Sequence, residues 1–259
     1  MAVKYSKAPI SELVCGIFFN SNLLLIDGII FQFLTRTQGL FPVIQTLPTI
    51  PSDEVVNGII QTSQDYIKAG FVTYRLFSND MKWQVLIQQN MVTLHWVRQD
   101  DENVGNYPGY DQIFAEFKRI YIILRELIPD DNIFNANIKS LYLCYTDRIN
   151  MEPYRIRGMG IDDLITLPPI QFKANNTNIK ANNYFNRFSG ACNDIDGYFI
   201  ASINSPTIMG LGQFLIIENK VKGSLSDSRF MDDWFESAHQ IQLSFFESIF
   251  KSAVLEEWK

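Results

Sequence analysis

Alternation of apolar and polar positions predicts strands in both halves of the chain. Three runs of the first half, Phe71–Phe77, Met81–Gln88 and Met91–Arg98, alternate with a period of two and are separated by turn-forming residues. Such runs joined by tight turns predict an antiparallel meander. Strand patterns also cover Leu13–Phe19, Ile138–Thr146, Ile170–Ala174, Ala181–Phe188, Gly197–Ile203 and Gln213–Val221.

Apolar positions spaced three and four residues apart predict the helices. The pattern indicates a short helix over Leu23–Thr35, a long one over Asp111–Ile128, a short one around Ile161–Ile165 and a long one over Phe230–Trp258. The segment Phe41–Pro51 holds three prolines and is predicted to be a connector. The stripe of the last helix consists of Trp234, Ala238, Ile241, Phe245, Ile249 and Ala253.

The order of these elements predicts an α+β fold of two pseudo-equivalent halves. Residues 1–129 and 138–259 each give a strand, a short helix, several strands and a long helix, and we expect them to pack as one unit. The repeat is one of pattern and not of residues. A curved antiparallel sheet with helices on one face fits this order, and two copies side by side would resemble the saddle of TATA-binding-protein-like folds.

Composition narrows the class of protein. The 259 residues are 47% hydrophobic and 19% charged, which excludes a disordered chain. The net charge of −6 argues against a protein whose main ligand is a phosphate backbone. Cys15, Cys144 and Cys192 are far apart in the sequence, as expected of reduced thiols. No signal peptide and no membrane-spanning apolar run is evident, so a cytoplasmic protein is predicted.

Residues for common catalytic chemistry are sparse. The chain has two histidines, His95 and His239, and neither has the spacing of a zinc pair or of a catalytic triad. The Gly158-Met159-Gly160 turn lacks the lysine of a phosphate-binding loop. We therefore expect no enzymatic activity, no metal and no cofactor.

One pattern leaves a nuclease open as an alternative. A strand-like run ends in Glu218-Asn219-Lys220, and Asp194 and Asp196 lie one strand earlier. An acid followed by Glu-x-Lys is the pattern of nucleases whose carboxylates hold Mg²⁺ while the lysine orients water. Period two puts Glu218 and Lys220 on one face of a strand. The other interpretation is that these are solvated residues at strand ends.

Arginines near the centre of the chain form a second candidate site. Asp147 and Arg148 end the central strand, and Arg155 and Arg157 follow shortly after. Three guanidinium groups near a glycine-rich turn can grip a carboxylate or phosphate of a ligand or partner. Alternatively, Arg148 ties the strand end to neighbouring carbonyls or to Asp147.

Four motifs resemble the landmarks of a sporadically distributed prokaryotic family of unknown function. They are KAPISELVCGIFF, YTDRINM, NDIDGYF and ESAHQIQLSFFESIF, in that order along the chain. The family has an N-terminal a-P-i-x-E-v strand, a central R-Y-i-N-R-i strand, an l-D-i-D strand and a helix with a histidine and a phenylalanine. The chain departs from the central motif at Cys144, Thr146 and Asp147. The matching positions are Pro9, Glu12, Arg148, Ile149, Asp194, Asp196, His239 and Phe246.

The resemblance implies no enzymatic activity. The patchy distribution of that family is typical of mobile genes and defence islands. The sequence thus predicts a non-catalytic binding or scaffolding subunit of a multi-protein assembly, such as an antiviral defence complex, with a protein partner encoded nearby. The alternatives are a nucleic-acid-binding saddle protein, with weak contacts, and a Mg²⁺-dependent nuclease. Apolar residues in predicted irregular segments either form an interface or pack on the core. They are Leu40-Phe41, Val43-Ile44, Leu47 and Ile208-Met209.

Overall fold

The structure is a computed structural model of the chain. It describes residues 5, 7–20, 23–48, 53–56, 59–62, 72–99, 107–128, 130–166, 171–174, 177–180, 185–192, 195–225 and 230–259. No helix within these ranges is both long and apolar enough to cross a membrane.

Strands and helices alternate in groups along the chain. The strands are β1 Ile10–Phe19, β2 Val43–Pro48, β3 Asp53–Val56, β4 Ile59–Thr62, β5 Val72–Phe77, β6 Trp83–Gln88, β7 Met91–Val97, β8 Ile138–Asn150, β9 Gln171–Ala174, β10 Thr177–Lys180, β11 Phe185–Cys192, β12 Gly197–Asn204, β13 Thr207–Ile208 and β14 Gly212–Gly223. The helices are α1 Ile29–Thr37, α2 Tyr110–Leu127, α3 Asp131–Ala136, α4 Glu152–Ile156, α5 Ile161–Leu164, α6 Met231–Ile249 and α7 Ser252–Trp258.

A large antiparallel sheet dominates the fold, which confirms the predicted α+β class. Its strand order is β11-β12-β14-β8-β1-β7-β6-β5-β2, with β13 paired to β14, and the sheet is not closed. The predicted meander is confirmed as β5, β6 and β7, which pair in sequence. Two separate hairpins, β3-β4 and β9-β10, complete the described strands.

The chain divides into two compact units. Unit 1 comprises the described residues within Met1–Leu13, Asp100–Pro108 and Leu143–Lys259, and unit 2 those within Val14–Gln99 and Gly109–Tyr142. Strands β1 and β8 therefore contribute residues to both units. The packing of residues 1–129 and 138–259 as one body stays a prediction.

Unit 2 has its core between its strands and α2, as the apolar stripe predicts. Ile113, Phe117, Ile120 and Leu124 of this helix are buried. The fully buried Phe134 packs edge-to-face on Phe19 of β1 and on Tyr121 of α2, with ring centroids 5.6 Å apart in both pairs. The predicted helix Leu23–Thr35 is a 3₁₀ segment over Leu23–Gly28 followed by α1, and Gly28 joins them with φ of 69°.

The prediction of a connector over Phe41–Pro51 is wrong for β2. Residues Val43–Pro48 pair antiparallel with β5, from Val43 opposite Phe77 to Pro48 opposite Val72. Proline is compatible with this strand because β2 is an edge strand, where a missing N–H costs no ladder hydrogen bond on the open side. Pro48, the proline within β2, is therefore compatible with a strand at the edge of the sheet and does not indicate the absence of a strand.

The prediction of one continuous helix over Phe230–Trp258 is also wrong. The helix stops at Ile249 because Phe250 adopts an extended conformation, with φ of −91° and ψ of 147°. This residue forms an antiparallel bridge with Ile165, and the Lys251 N–H donates to the Leu164 carbonyl at 2.9 Å. Beyond Ile249 the chain thus pairs with Leu164, the last residue of α5, and with Ile165.

Burial of Phe250 accounts for this break. Its ring lies 5.0 Å from that of Phe246 and 4.8 Å from that of Trp258, inside a core cluster of unit 1. A continuous helix would place the residues after Phe250 on a single straight axis and would not bring Trp258 back onto Phe246. The buried residues of α6 are Trp234, Phe235, Ala238, Gln242, Phe246 and Ile249, so the predicted stripe holds at Trp234, Ala238 and Ile249.

Candidate functional site

Glu218 and Lys220 lie on the same face of β14, as their spacing predicts. The Lys220 Nζ is 3.0 Å from the Glu218 Oε1, and both side chains are partly exposed. Across the strand pair, Glu218 lies opposite Ser202 and Lys220 opposite Ile200 of β12. The two charges therefore neutralise each other on the sheet.

The structure does not bring Asp196 to this ion pair. Gly197 lies opposite Gly223, and the Asp196 carbonyl accepts a hydrogen bond from the Ser224 N–H at 3.1 Å. Asp196 is thus level with a position six residues beyond Glu218 on β14, which at about 3.3 Å per residue is roughly 20 Å away. Oxygen ligands of Mg²⁺ lie about 2.1 Å from the ion, so these two carboxylates do not share one here.

Other carboxylates do not complete a metal site in the described ranges. Asp194 lies outside the described residues. No group of three or more histidine, cysteine, aspartate or glutamate side chains in those ranges is arranged to hold a metal ion.

A double substitution tests the role of the ion pair. Replacing both Glu218 and Lys220 by alanine removes a partly exposed pair, and such pairs contribute about 0–1 kcal/mol. We expect the urea midpoint to change little and the biological activity of the assembly to persist. Mg²⁺-dependent cleavage of DNA or RNA by the wild-type chain, lost in the double variant, would instead establish a nuclease.

Asp147 and Arg148 point to opposite faces of β8. The Arg148 guanidinium stacks on the Phe214 ring of β14, 4.3 Å from its centroid, and the Arg148 N–H donates to the Pro9 carbonyl at 2.9 Å. Asp147 is buried and shares its face with Tyr145, which contacts α6. The pair therefore does not act as one side-chain cluster.

Arg155 and Arg157 make ion pairs near α4 and α7. The Arg157 guanidinium binds both carboxylate oxygens of Glu257, at 2.8 and 3.1 Å, and lies 4.7 Å from the Tyr154 ring centroid. The hydrogen bond to Glu257 raises the pKa of Arg157, and the same bond lowers the pKa of the Glu257 carboxyl. Arg155 is 4.0 Å from Glu152. The three arginines thus have separate neighbours and do not converge on one anion.

A buried polar layer under α6 was not predicted. The Gln242 Nε2 donates to the carbonyls of Leu143 and Asn219, at 2.9 and 3.1 Å, and so bridges β8 and β14. The Tyr145 hydroxyl and the His239 Nδ1 are 2.9 Å apart, with stacked rings. This layer positions α6 on its strands. A glutamine at a helical position gives no sequence signal for burial, because most glutamines are exposed.

The exposed edge strand β2 is the most distinctive surface of unit 2. Val43 is 48% exposed and Ile44 is 44% exposed, although they point to opposite faces of the strand. Within the described part of the chain β2 pairs only with β5, and its sequence VIQTLP carries no charge. By contrast, β11, the edge strand of unit 1, carries the exposed Arg187.

Helix α1 places an exposed aromatic ring on one face of this part of the sheet. Phe31 of α1 is 66% exposed, and its ring lies 6.3 Å from that of Tyr74 in β5. Tyr74 lies opposite Thr46, so Phe31 is on the face of β2 to which Ile44 and Thr46 point. The face that carries Ile44 therefore also carries the exposed ring of Phe31.

The other apolar segments identified in the sequence differ in how far their side chains are buried. Phe41 is buried in the core, whereas Leu40 is exposed. Met209 is 96% exposed at the tip of the β13-β14 hairpin, next to Gly210 with φ of 79°. Sequence could not separate these cases, because apolar residues in irregular segments either pack on the core or face outward.

Comparison with models of known protein families and with the sequences of curated proteins gives no match for this chain.

Proposed function

We propose that the chain is a non-catalytic binding subunit of a multi-protein assembly and that a protein partner covers β2. The observation that carries this proposal is an uncharged edge strand with apolar side chains exposed on both faces. Edge strands expose unpaired N–H and C=O groups, and proteins that work alone usually protect them with charges, bulges or short length. Apart from Pro48 at its end, β2 lacks such protection, which fits a surface that is covered in an assembly.

Charge supports a protein partner over nucleic acid. The chain carries 22 lysines and arginines against 28 acidic residues. Lys220 and Arg157 are each held in an ion pair, which leaves them less able to bind phosphates. A nucleic-acid complex would rest on counterion release and would weaken steeply with salt. Contacts over apolar area depend much less on salt.

Separation of Asp196 from Glu218 supports the non-catalytic part of the proposal. The nuclease alternative needs a second carboxylate beside Glu218. Asp196, which precedes β12, is instead level with a position about six residues beyond Glu218 on β14. The suggestion of a defence complex in a prokaryotic cytoplasm rests on the resemblance of four sequence motifs alone.

Co-expression with the products of neighbouring genes tests the proposal. We expect the chain to co-elute with one of them in size-exclusion chromatography at both low and high salt, because the contact is apolar. A solitary monomer that retains an oligonucleotide at low salt and releases it at high salt would overturn the proposal in favour of nucleic-acid binding.

A further inference from the structure

Resting on the proposed function, we infer the chemistry of the partner at β2. We propose that β2 accepts an extended, uncharged segment of a partner protein as an added strand, with a large apolar side chain of that segment against Ile44, on the face that also carries Phe31. Backbone groups, side chains and charge each support this occupant.

The outward N–H and C=O groups of β2 are suited to a partner segment in the conformation of a strand. In an antiparallel pair, alternate residues direct their N–H and C=O groups to the paired neighbour, and the residues between them direct theirs outward. On one side β2 is paired with β5 along its whole length, from Val43 to Pro48. On the other side no described strand pairs with β2, and its outward groups match the hydrogen-bonding pattern of an extended chain, the mode of recognition known as strand addition.

The side chains around β2 select an apolar residue on one face. Ile44 points to the face on which Phe31 packs against Tyr74. An added strand lies about 4.8 Å beyond β2, so a side chain on this face would fall next to Ile44, on the face of the sheet that also carries the exposed Phe31. On the opposite face, Val43, Gln45 and Leu47 present a mixed surface that places a weaker requirement on the segment.

The absence of charge on β2 selects an uncharged segment. No side chain of Val43–Pro48 can pair with a lysine or a glutamate of an incoming strand. A charged residue on the Phe31 face would lose water without gaining an ion pair, which costs free energy. The segment is therefore expected to be uncharged at the positions that face Ile44.

Area favours a partner segment over a second copy of this chain. A strand of six residues is about 20 Å long, and joining two such edges buries on the order of several hundred Å², whereas a stable complex between folded proteins buries roughly 1,200–2,000 Å². Two copies joined only at β2 would fall short of this area. A flexible segment can bury more area than the edge of a second copy, because it can follow both the edge strand and the face that carries the exposed Phe31.

A library of displayed ten-residue peptides is the probe that tests this inference. We expect selection on the purified wild-type chain to enrich uncharged peptides with apolar residues at alternate positions. Enriched peptides should bind at least 10-fold more weakly to Ile44→Lys and equally well to Ile122→Lys. The control replaces an exposed isoleucine of α2 in the same unit, and the melting temperatures of both variants report on folding.

Backbone methylation of the best peptide separates strand addition from side-chain docking without relying on a protein variant. Methyl groups on the amide nitrogens of one alternating set of residues should abolish binding, and methyl groups on the other set should be tolerated. Tolerance of both patterns, equal binding to Ile44→Lys, or no enrichment would each overturn the inference. A dimer of the purified chain that Ile44→Lys converts to a monomer would assign β2 to a second copy instead.

The two proposals fail separately. Peptide binding at β2 without a complex in co-expression would retain the strand inference and overturn the assembly. A salt-resistant complex formed by a chain that selects no peptide would do the reverse.

Discussion

Replacing Phe250 by alanine is expected to lower the free energy of unfolding of unit 1 by about 3–5 kcal/mol. The side chain is almost fully buried, and its ring packs on those of Phe246 and Trp258. Its loss would leave a cavity at the point where the chain leaves α6 and pairs with Ile165. The urea midpoint, followed by tryptophan fluorescence, measures the loss, because Trp258 lies in the same cluster.

Phe230→Ala is the matched control for this substitution. Phe230 directly precedes α6 but is 79% exposed, so its removal should change the free energy of unfolding by less than about 0.5 kcal/mol. Equal effects of the two substitutions would contradict the burial of Phe250 in this core cluster.

Replacing Gly197 by alanine is expected to destabilise unit 1 by about 1–3 kcal/mol, because the new methyl group meets backbone on β14. A Cβ at this position would lie 2.7 Å from the Lys222 carbonyl oxygen and 3.0 Å from the Gly223 Cα. Backbone atoms of a paired strand cannot rotate away as a flexible side chain can. The shift in the thermal midpoint of the variant measures the cost.

Gly190→Ala separates this clash from the general effect of removing a strand glycine. Gly190 lies in the neighbouring β11, and a Cβ there would have no atom within 4 Å. We expect its stability to be unchanged or slightly raised, since alanine restricts the unfolded chain. A large loss of stability at Gly190, or none at Gly197, would argue against the register of β11, β12 and β14.

The alternation and spacing of apolar residues predicted those elements whose structure depends on the residues within the element itself. The meander of β5, β6 and β7 follows from alternation between short turns, and α2 follows from a stripe of three- and four-residue spacings. The ion pair of Glu218 and Lys220 also follows from local geometry, because residues two apart in a strand share a face.

Long-range pairing determined the features that the sequence did not predict. Strand β2 depends on β5, and the prolines of the segment 41–51 concealed it in the sequence, because a proline within a strand is compatible mainly with an edge position. The end of α6 depends on Ile165, which lies 84 to 85 residues earlier than its neighbours Ile249 and Phe250. The separation of Asp196 from Glu218 depends on the register of β12 against β14, which no single strand contains.

The most direct test of the account is the molar mass of the co-expressed complex at high salt, compared between two variants. Light scattering on the wild-type chain and on Ile122→Lys should give the mass of this chain together with its partner. Ile44→Lys should give the mass of the chain alone, because a lysine on β2 removes the apolar contact. A complex of unchanged mass with Ile44→Lys would contradict β2 as the partner site.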